Sequence, residues 1–153
     1  IMQQTTSCFE ELEKPRPKRS GLPLLHVAAA ALIDESGKIL ISQRPEGKSM
    51  AGLWEFPGGK IEEGESPEFT LMRELSEELD IETRPCCFSP IGFASHEYKS
   101  FHLLMPLFVC RVWEGEPRSK EKQALKWVAV RELYDYPMPP ADIPLIPQLL
   151  DNL

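Results

Sequence analysis

The stretch PGGKIEEGESPEFTLMRELSEELDI, residues 57–81, decides how this 153-residue chain is read. Pro57-Gly58-Gly59 breaks the chain. Ser66 followed by Pro67 marks a helix start, a hydroxyl cap with proline at the first helical position. Behind it Phe69, Met72, Leu75 and Leu79 recur at three- and four-residue steps, which predicts a helix over 67–79 with an apolar stripe. Asp80 then stands just past the helix, where a left-handed residue is expected and glycine is preferred. On that helix Glu74 and Glu78 lie one turn apart and Glu77 three residues from Glu74, so the three carboxylates are expected to crowd one side. Like charges at this spacing cost about 0.2–0.5 kcal/mol per pair. A solvated acidic face is one reading. The other is favoured by Glu62, Glu63 and Glu65, three more carboxylates in the preceding loop with few cations beside them: hard oxygen donors in this concentration suit magnesium or manganese.

Upstream, Leu24 to Ile33 is apolar and small, Asp34-Glu35-Ser36-Gly37 reads as a turn, and Lys38 to Arg44 alternates, which predicts a hairpin. Downstream, extended segments are expected near 91–96, 102–113 and 124–130, then a short helical turn at 131–134 and a last helix ending at Leu150. Strands on both sides of a central helix, with another helix at the end, describe an α+β or layered α/β/α domain. Residues 1–22 carry Lys14-Pro15-Arg16-Pro17-Lys18-Arg19, basic and without apolar period, and are expected to be a disordered or loosely attached tail; residues 23–153 form the domain.

Seventeen basic against twenty-four acidic side chains give a formal charge of -7, which opposes binding to nucleic acid polymers or anionic membrane. A polyanionic substrate would therefore need a metal escort. The longest apolar run, Val27 to Ile33, is too short to cross a bilayer, and no secretory signal is read. Cys8, Cys86, Cys87 and Cys110 form no CxxC pair, and His26, His96 and His102 no metal pattern. Together these favour a cytoplasmic protein with reduced thiols. Gly58-Gly59-Lys60 is not a P-loop, because Trp54 stands where its first glycine belongs and Ile61 where Ser or Thr should bind magnesium.

Gly59, five residues, Glu65, seven residues, then Arg73-Glu74-Leu75-Ser76-Glu77-Glu78-Leu79-Asp80-Ile81 strongly resembles the Nudix box, departing from it at Asp80, where glycine is usual. Trp54-Glu55-Phe56-Pro57-Gly58-Gly59-Lys60, Trp113-Glu114-Gly115-Glu116-Pro117 and Pro140-Ala141-Asp142 extend the likeness to the MutT branch, which hydrolyses oxidised nucleoside triphosphates. Gln123-Ala124-Leu125 and Ala141-Asp142-Ile143-Pro144-Leu145 also look like the related CTP pyrophosphohydrolases. The resemblance implies a Nudix-type α/β/α sandwich, with a mixed central sheet and the catalytic helix after a glycine-containing loop. It implies a Mg2+ site, with Mn2+ as substitute, held by Glu74, Glu77, Glu78 and the Gly58 carbonyl, with Glu121 as a further ligand or base. Arg73 would orient these carboxylates through an ion pair. Arg44, Lys60, Glu55, Phe56 and Asp142 would face the substrate.

The reaction so implied is hydrolysis of 8-oxo-dGTP to the monophosphate and pyrophosphate, with no nucleic acid polymer or membrane partner, by a monomer. CTP or dCTP is the alternative substrate; a dinucleoside polyphosphate or nucleotide sugar, or a non-catalytic nucleotide-binding module, are others. Asp142 carries the choice of base. At its position the MutT resemblance expects an asparagine, whose amide accepts from N7–H of 8-oxoguanine and donates to O6; an ionised aspartate only accepts, whereas a protonated one would satisfy either 8-oxoguanine or cytosine. The competing expectation is that Asp142 merely caps the C-terminal helix.

Overall fold

The computed structural model describes residues 7–153. The part of the expected tail that covers residues 1–6 lies outside them. Residues 7–22 hold a five-residue helix, α1 (Cys8–Leu12), and residues 7–21 are exposed throughout.

Seven strands follow: β1 (Leu24–Leu32), β2 (Ile39–Gln43), β3 (Trp54–Glu55), β4 (Gly58–Lys60), β5 (Phe88–Glu97), β6 (His102–Cys110) and β7 (Leu125–Val128). They form a four-stranded sheet, β4-β1-β6-β5, and a three-stranded one, β3-β2-β7. The larger sheet is mixed, because β1 runs parallel to β6 while β4 and β5 are antiparallel to their neighbours. From Ala28 onward β1 is buried on both faces. Ala28, Ala30 and Leu32 pack with Leu71, Leu75 and Leu79 of α2 (Pro67–Leu79), whereas Ala29, Ala31 and Ile33 pack with Leu145, Ile146 and Leu149 of α3 (Leu145–Asn152). The result is the expected α/β/α layering, with the alanine run as its thin middle.

The expected hairpin exists only at its turn. Asp34 Oδ1 accepts from the N–H groups of Ser36 and Lys38, both at 2.9 Å, and Ile33 bridges Ile39, but β1 and β2 then part into different sheets. Both edges of β1 are already taken, by β4 and β6, so no ladder edge remains for β2.

α2 begins and ends as its sequence demands. Ser66 Oγ accepts from the Phe69 N–H at 3.1 Å, and Asp80 sits in the left-handed region at φ 58°, ψ 33°. Its apolar stripe is displaced from expectation: Leu71, Leu75 and Leu79 are buried, while Phe69 is 44% exposed. Phe69 lies two positions before Leu71, which places it about 200° round the helix. The turn at Val130–Asp135 is a 3-10 helix, and His26, His96 and His102 all lie on strands. Among the described residues, no helix is long and apolar enough to cross a membrane.

Candidate active site

Gly58 and Gly59 are glycines because of what they touch. A β-carbon at Gly58 would overlap the Ala28 carbonyl, so β4 can lie flush against β1 only without a side chain there, and one at Gly59 would push the Glu74 carboxyl from its place. This close approach brings the acidic face of α2 to the rim of a cleft of about 260 Å³ between the two sheets.

The three box glutamates do not share one environment. Glu78 lines the cleft one helical turn from Glu74, whose side chain is only 16% exposed. Burial, then the Glu74 carboxyl, then the charges of Glu55 and Glu121 push the Glu78 carboxyl up to about 8. Glu77 is 61% exposed and does not line the cleft, contrary to the expectation that all three crowd one side. It stands about 100° round the helix from Glu78, on the solvent side.

Arg73 joins loop to helix. Its Nε and Nη2 reach the two Glu65 oxygens at 2.7 and 2.8 Å, and its Nη1 reaches Glu74 Oε1 at 2.9 Å and Glu77 Oε2 at 3.5 Å. Glu65 also accepts from the Glu62 N–H and the Thr70 hydroxyl, and with Arg73 as the leading cause its carboxyl is held down at about 2. For Glu65 alone this corrects the expectation that the loop carboxylates have few cations beside them: Glu65 has its lone pairs spoken for. It fastens Arg73, which in turn orients Glu74.

Across the cleft, Arg44 Nη1 donates to both Glu55 carboxyl oxygens, at 3.2 and 3.0 Å, and Arg44 Nε donates to the Ser49 carbonyl at 2.8 Å. Burial raises the Glu55 pKa, with Arg44 opposing. Lys60 lines the cleft from β4, and Glu121 lines it from the loop before β7, pairing with Lys48 at 3.6 Å. Phe56 and Met105 supply apolar wall. Reading the sequence missed Lys48 and Met105; alternation along β6 was the available signal for Met105, and a loop lysine carries none.

Asp142 is 6% exposed and also lines the cleft. One carboxyl oxygen accepts from the Phe56 N–H at 3.3 Å. Burial first, and the nearby Glu55 charge second, push its carboxyl up to about 8, so at neutral pH it is mostly the protonated acid. The helix-cap expectation fails: Pro144 is the N-cap of α3 with no side-chain cap bond, and Asp142 meets that helix only through its carbonyl, which accepts from the Leu145 N–H at 3.0 Å.

The donor set suits a hard divalent cation. Glu74 and Glu78 are paired carboxyls resting on a glycine cradle, with Glu55 and Glu121 adding negative charge, and a cation would relieve the repulsion that raises Glu78. Among the described residues, no three His, Cys, Asp or Glu side chains are drawn together tightly enough to hold an ion as they stand.

Residues 28–148 match the sequence profile of the NUDIX domain. The chain is 43% identical over 121 residues to a CTP pyrophosphohydrolase of Escherichia coli K12, covering 76% of this chain and 85% of that protein. It is 38% identical over 125 residues to an 8-oxo-dGTP diphosphatase of the same organism, covering 82% and 95%. Its structure is similar to the crystal structure of a MutT NUDIX hydrolase from Burkholderia pseudomallei, with a TM-score of 0.69, 28% identity and coverage of 82% of this chain and 97% of that one.

Proposed function

The chain belongs to the NUDIX domain family, and from that membership we propose that it is a Mg2+-dependent nucleoside triphosphate pyrophosphohydrolase whose preferred substrate is 8-oxo-dGTP. The observation that supports a base-reading role is the buried carboxyl of Asp142, in the same cleft as Glu78; it favours a base with a donor beside an acceptor over ordinary guanine.

Glu74, Glu77, Glu78 and the Gly58 carbonyl would hold the metal, with Glu121 as a further ligand or base; Mn2+ would substitute. When bound, the ion cancels triphosphate charge and lowers the pKa of water. Arg44 and Lys60 face the phosphates, and Arg44 exchanges its Glu55 partner for substrate oxygens. A box glutamate takes the proton of the attacking water; the oxygen adds to an internal phosphorus, the phosphoanhydride bond breaks, and nucleoside monophosphate and pyrophosphate leave. Arg73 acts one step back, keeping Glu74 in place.

The neutral Asp142 carboxyl accepts from N7–H of 8-oxoguanine and donates to its O6. Ordinary guanine presents a bare acceptor at N7, a mismatch worth about 1–3 kcal/mol. Cytosine also offers a donor beside an acceptor, at N4 and N3. The 43% identity to the CTP pyrophosphohydrolase favours CTP or dCTP as the second reading. Residues 23–153 would be the catalytic domain and 1–22 an appended tail, in a cytoplasmic monomer acting on free nucleotides. Specificity constants for 8-oxo-dGTP, dGTP, CTP and dCTP with Mg2+, and identification of the products, test the reading. Preference for CTP or dCTP would replace the first substrate by the second, and release of inorganic phosphate alone would overturn the reaction.

A further inference from the structure

We propose that Tyr98 is a positioning residue for base recognition, its hydroxyl setting the place of the loop that carries Asp142. The inference rests on the reading of Asp142 above. Tyr98 stands in the turn between β5 and β6, where its N–H donates to the Phe101 carbonyl at 2.8 Å. Its ring packs against Phe101, with centroids 5.1 Å apart, and edge-on to His96 at 4.7 Å, so the hydroxyl is aimed by contacts on several sides. That hydroxyl accepts from the Ala141 N–H at 3.2 Å.

Ala141 is fully buried and adjoins Asp142. The loop 137–142 contains Pro137, Pro139 and Pro140, which have no N–H, so few backbone donors are available to tie it down. Two of its anchors come from the smaller sheet's side: the Trp54 N–H donates to the Pro137 carbonyl at 2.7 Å, and the Phe56 N–H to Asp142 at 3.3 Å. Tyr98 supplies the anchor from the larger sheet. The loop is thus held from both sides of the cleft, and the direction of the Asp142 carboxyl depends on both. Without the hydroxyl, a buried N–H loses its partner and the loop shifts to find another. Burial raises the pKa of the Tyr98 hydroxyl above its ordinary value, opposed by the hydrogen bond it accepts from the Ala141 N–H.

The test is a set of four proteins, wild type, Tyr98→Phe, Asp142→Ala and the double variant, with kcat and KM measured on 8-oxo-dGTP, dGTP and dCTP and the melting temperature of each. Tyr98→Phe keeps the ring and its packing. The expected result is a five- to tenfold fall, roughly, in the preference for 8-oxo-dGTP over dGTP, carried mainly by KM. In the Asp142→Ala background the same change should leave the ratios where they are. An equal loss on all three nucleotides, or a lowered melting temperature with unmoved ratios, would make Tyr98 a part of the fold only and overturn the inference. Ratios that move with Asp142→Ala but not with Tyr98→Phe overturn it while sparing the Asp142 reading. If neither variant moves them, the Asp142 reading falls and this inference with it.

Discussion

Asp80 holds Arg118. Its Oδ2 accepts from Arg118 Nη2 at 2.6 Å and Nε at 2.9 Å, while Lys120 Nζ approaches Oδ1 at 3.3 Å. The residue that ends α2 in a left-handed conformation therefore also ties down the loop carrying Glu121, whose backbone donates from Arg118 and Lys120 to the Leu79 and Glu78 carbonyls at 3.0 Å. The contacts hold the Asp80 carboxyl below its ordinary value, Arg118 being the leading cause.

Asp80→Gly relieves the left-handed backbone but loses these ion pairs, whereas Asp80→Asn loses the pairs and keeps most of the backbone cost. The expected order of melting temperature is Asp80→Asn below Asp80→Gly, with turnover within a few-fold of wild type in Asp80→Gly. Because the folded carboxyl titrates below the unfolded one, its help is present above the unfolded pKa and fades as pH falls into the acid range. Thermal melts in low and high salt at pH 7 check the assignment, since screening should narrow the gap between wild type and Asp80→Asn.

Glu77→Gln and Glu78→Gln are each expected to lower turnover by about 100-fold or more, the scale of losing a metal-site or acid-base group, with the fold retained. Their apoproteins should differ. Glu78 is desolvated against Glu74, so its replacement should raise the melting temperature, while Glu77, exposed, should change it little. Near-wild-type turnover in both variants would remove the metal-site assignment.

For Asp142 the sign runs against alkali. Its folded carboxyl titrates near 8, above the ordinary 3.8, so stability is fully present below the unfolded value and is lost as pH rises towards and through 8. Asp142→Asn should flatten that decline in melting temperature. On 8-oxo-dGTP, the ratio of variant to wild-type kcat/KM should rise from pH 7 to 9, because the amide keeps a donor that the ionising acid loses. A ratio independent of pH would mean that Asp142 does not donate to the base.

Deleting residues 1–20 should leave melting temperature and turnover unchanged. Phe9 and Leu12, the large apolar side chains of α1, are 80% and 79% exposed, so the described part of this segment buries little against the domain. A marked fall in melting temperature would show that it docks.

Much of this molecule was legible as local pattern. Ser66, Pro67 and Asp80 bound α2 through interactions with their own neighbours in the chain, so these could be read in one dimension, whereas Pro57-Gly58-Gly59 read only as a break and its close approach to β1 and α2 needed the fold. Family resemblance supplied the candidate ligands, and the cleft does bring Arg44, Glu55, Phe56, Lys60, Glu121 and Asp142 together from distant parts of the chain. The strand periods foretold β1 and β2 but not their separation, because which edge of β1 remains free depends on β4 and β6.

What tertiary structure alone decided is chiefly electrostatic. Three glutamates on one helix are equivalent as letters, yet one is buried against another while the third faces water, since exposure depends on the helix's rotation against β1 and β4. Asp142 as a letter is a charged acceptor; only its burial beside Glu55, on a loop held by Trp54, Phe56 and Tyr98, makes it a neutral acid able to donate. Local sequence governs backbone conformation because the forces that set caps and turns act over a few residues. Protonation and the aim of a side chain follow from desolvation and from partners dozens of residues away, which exist only once the chain has folded.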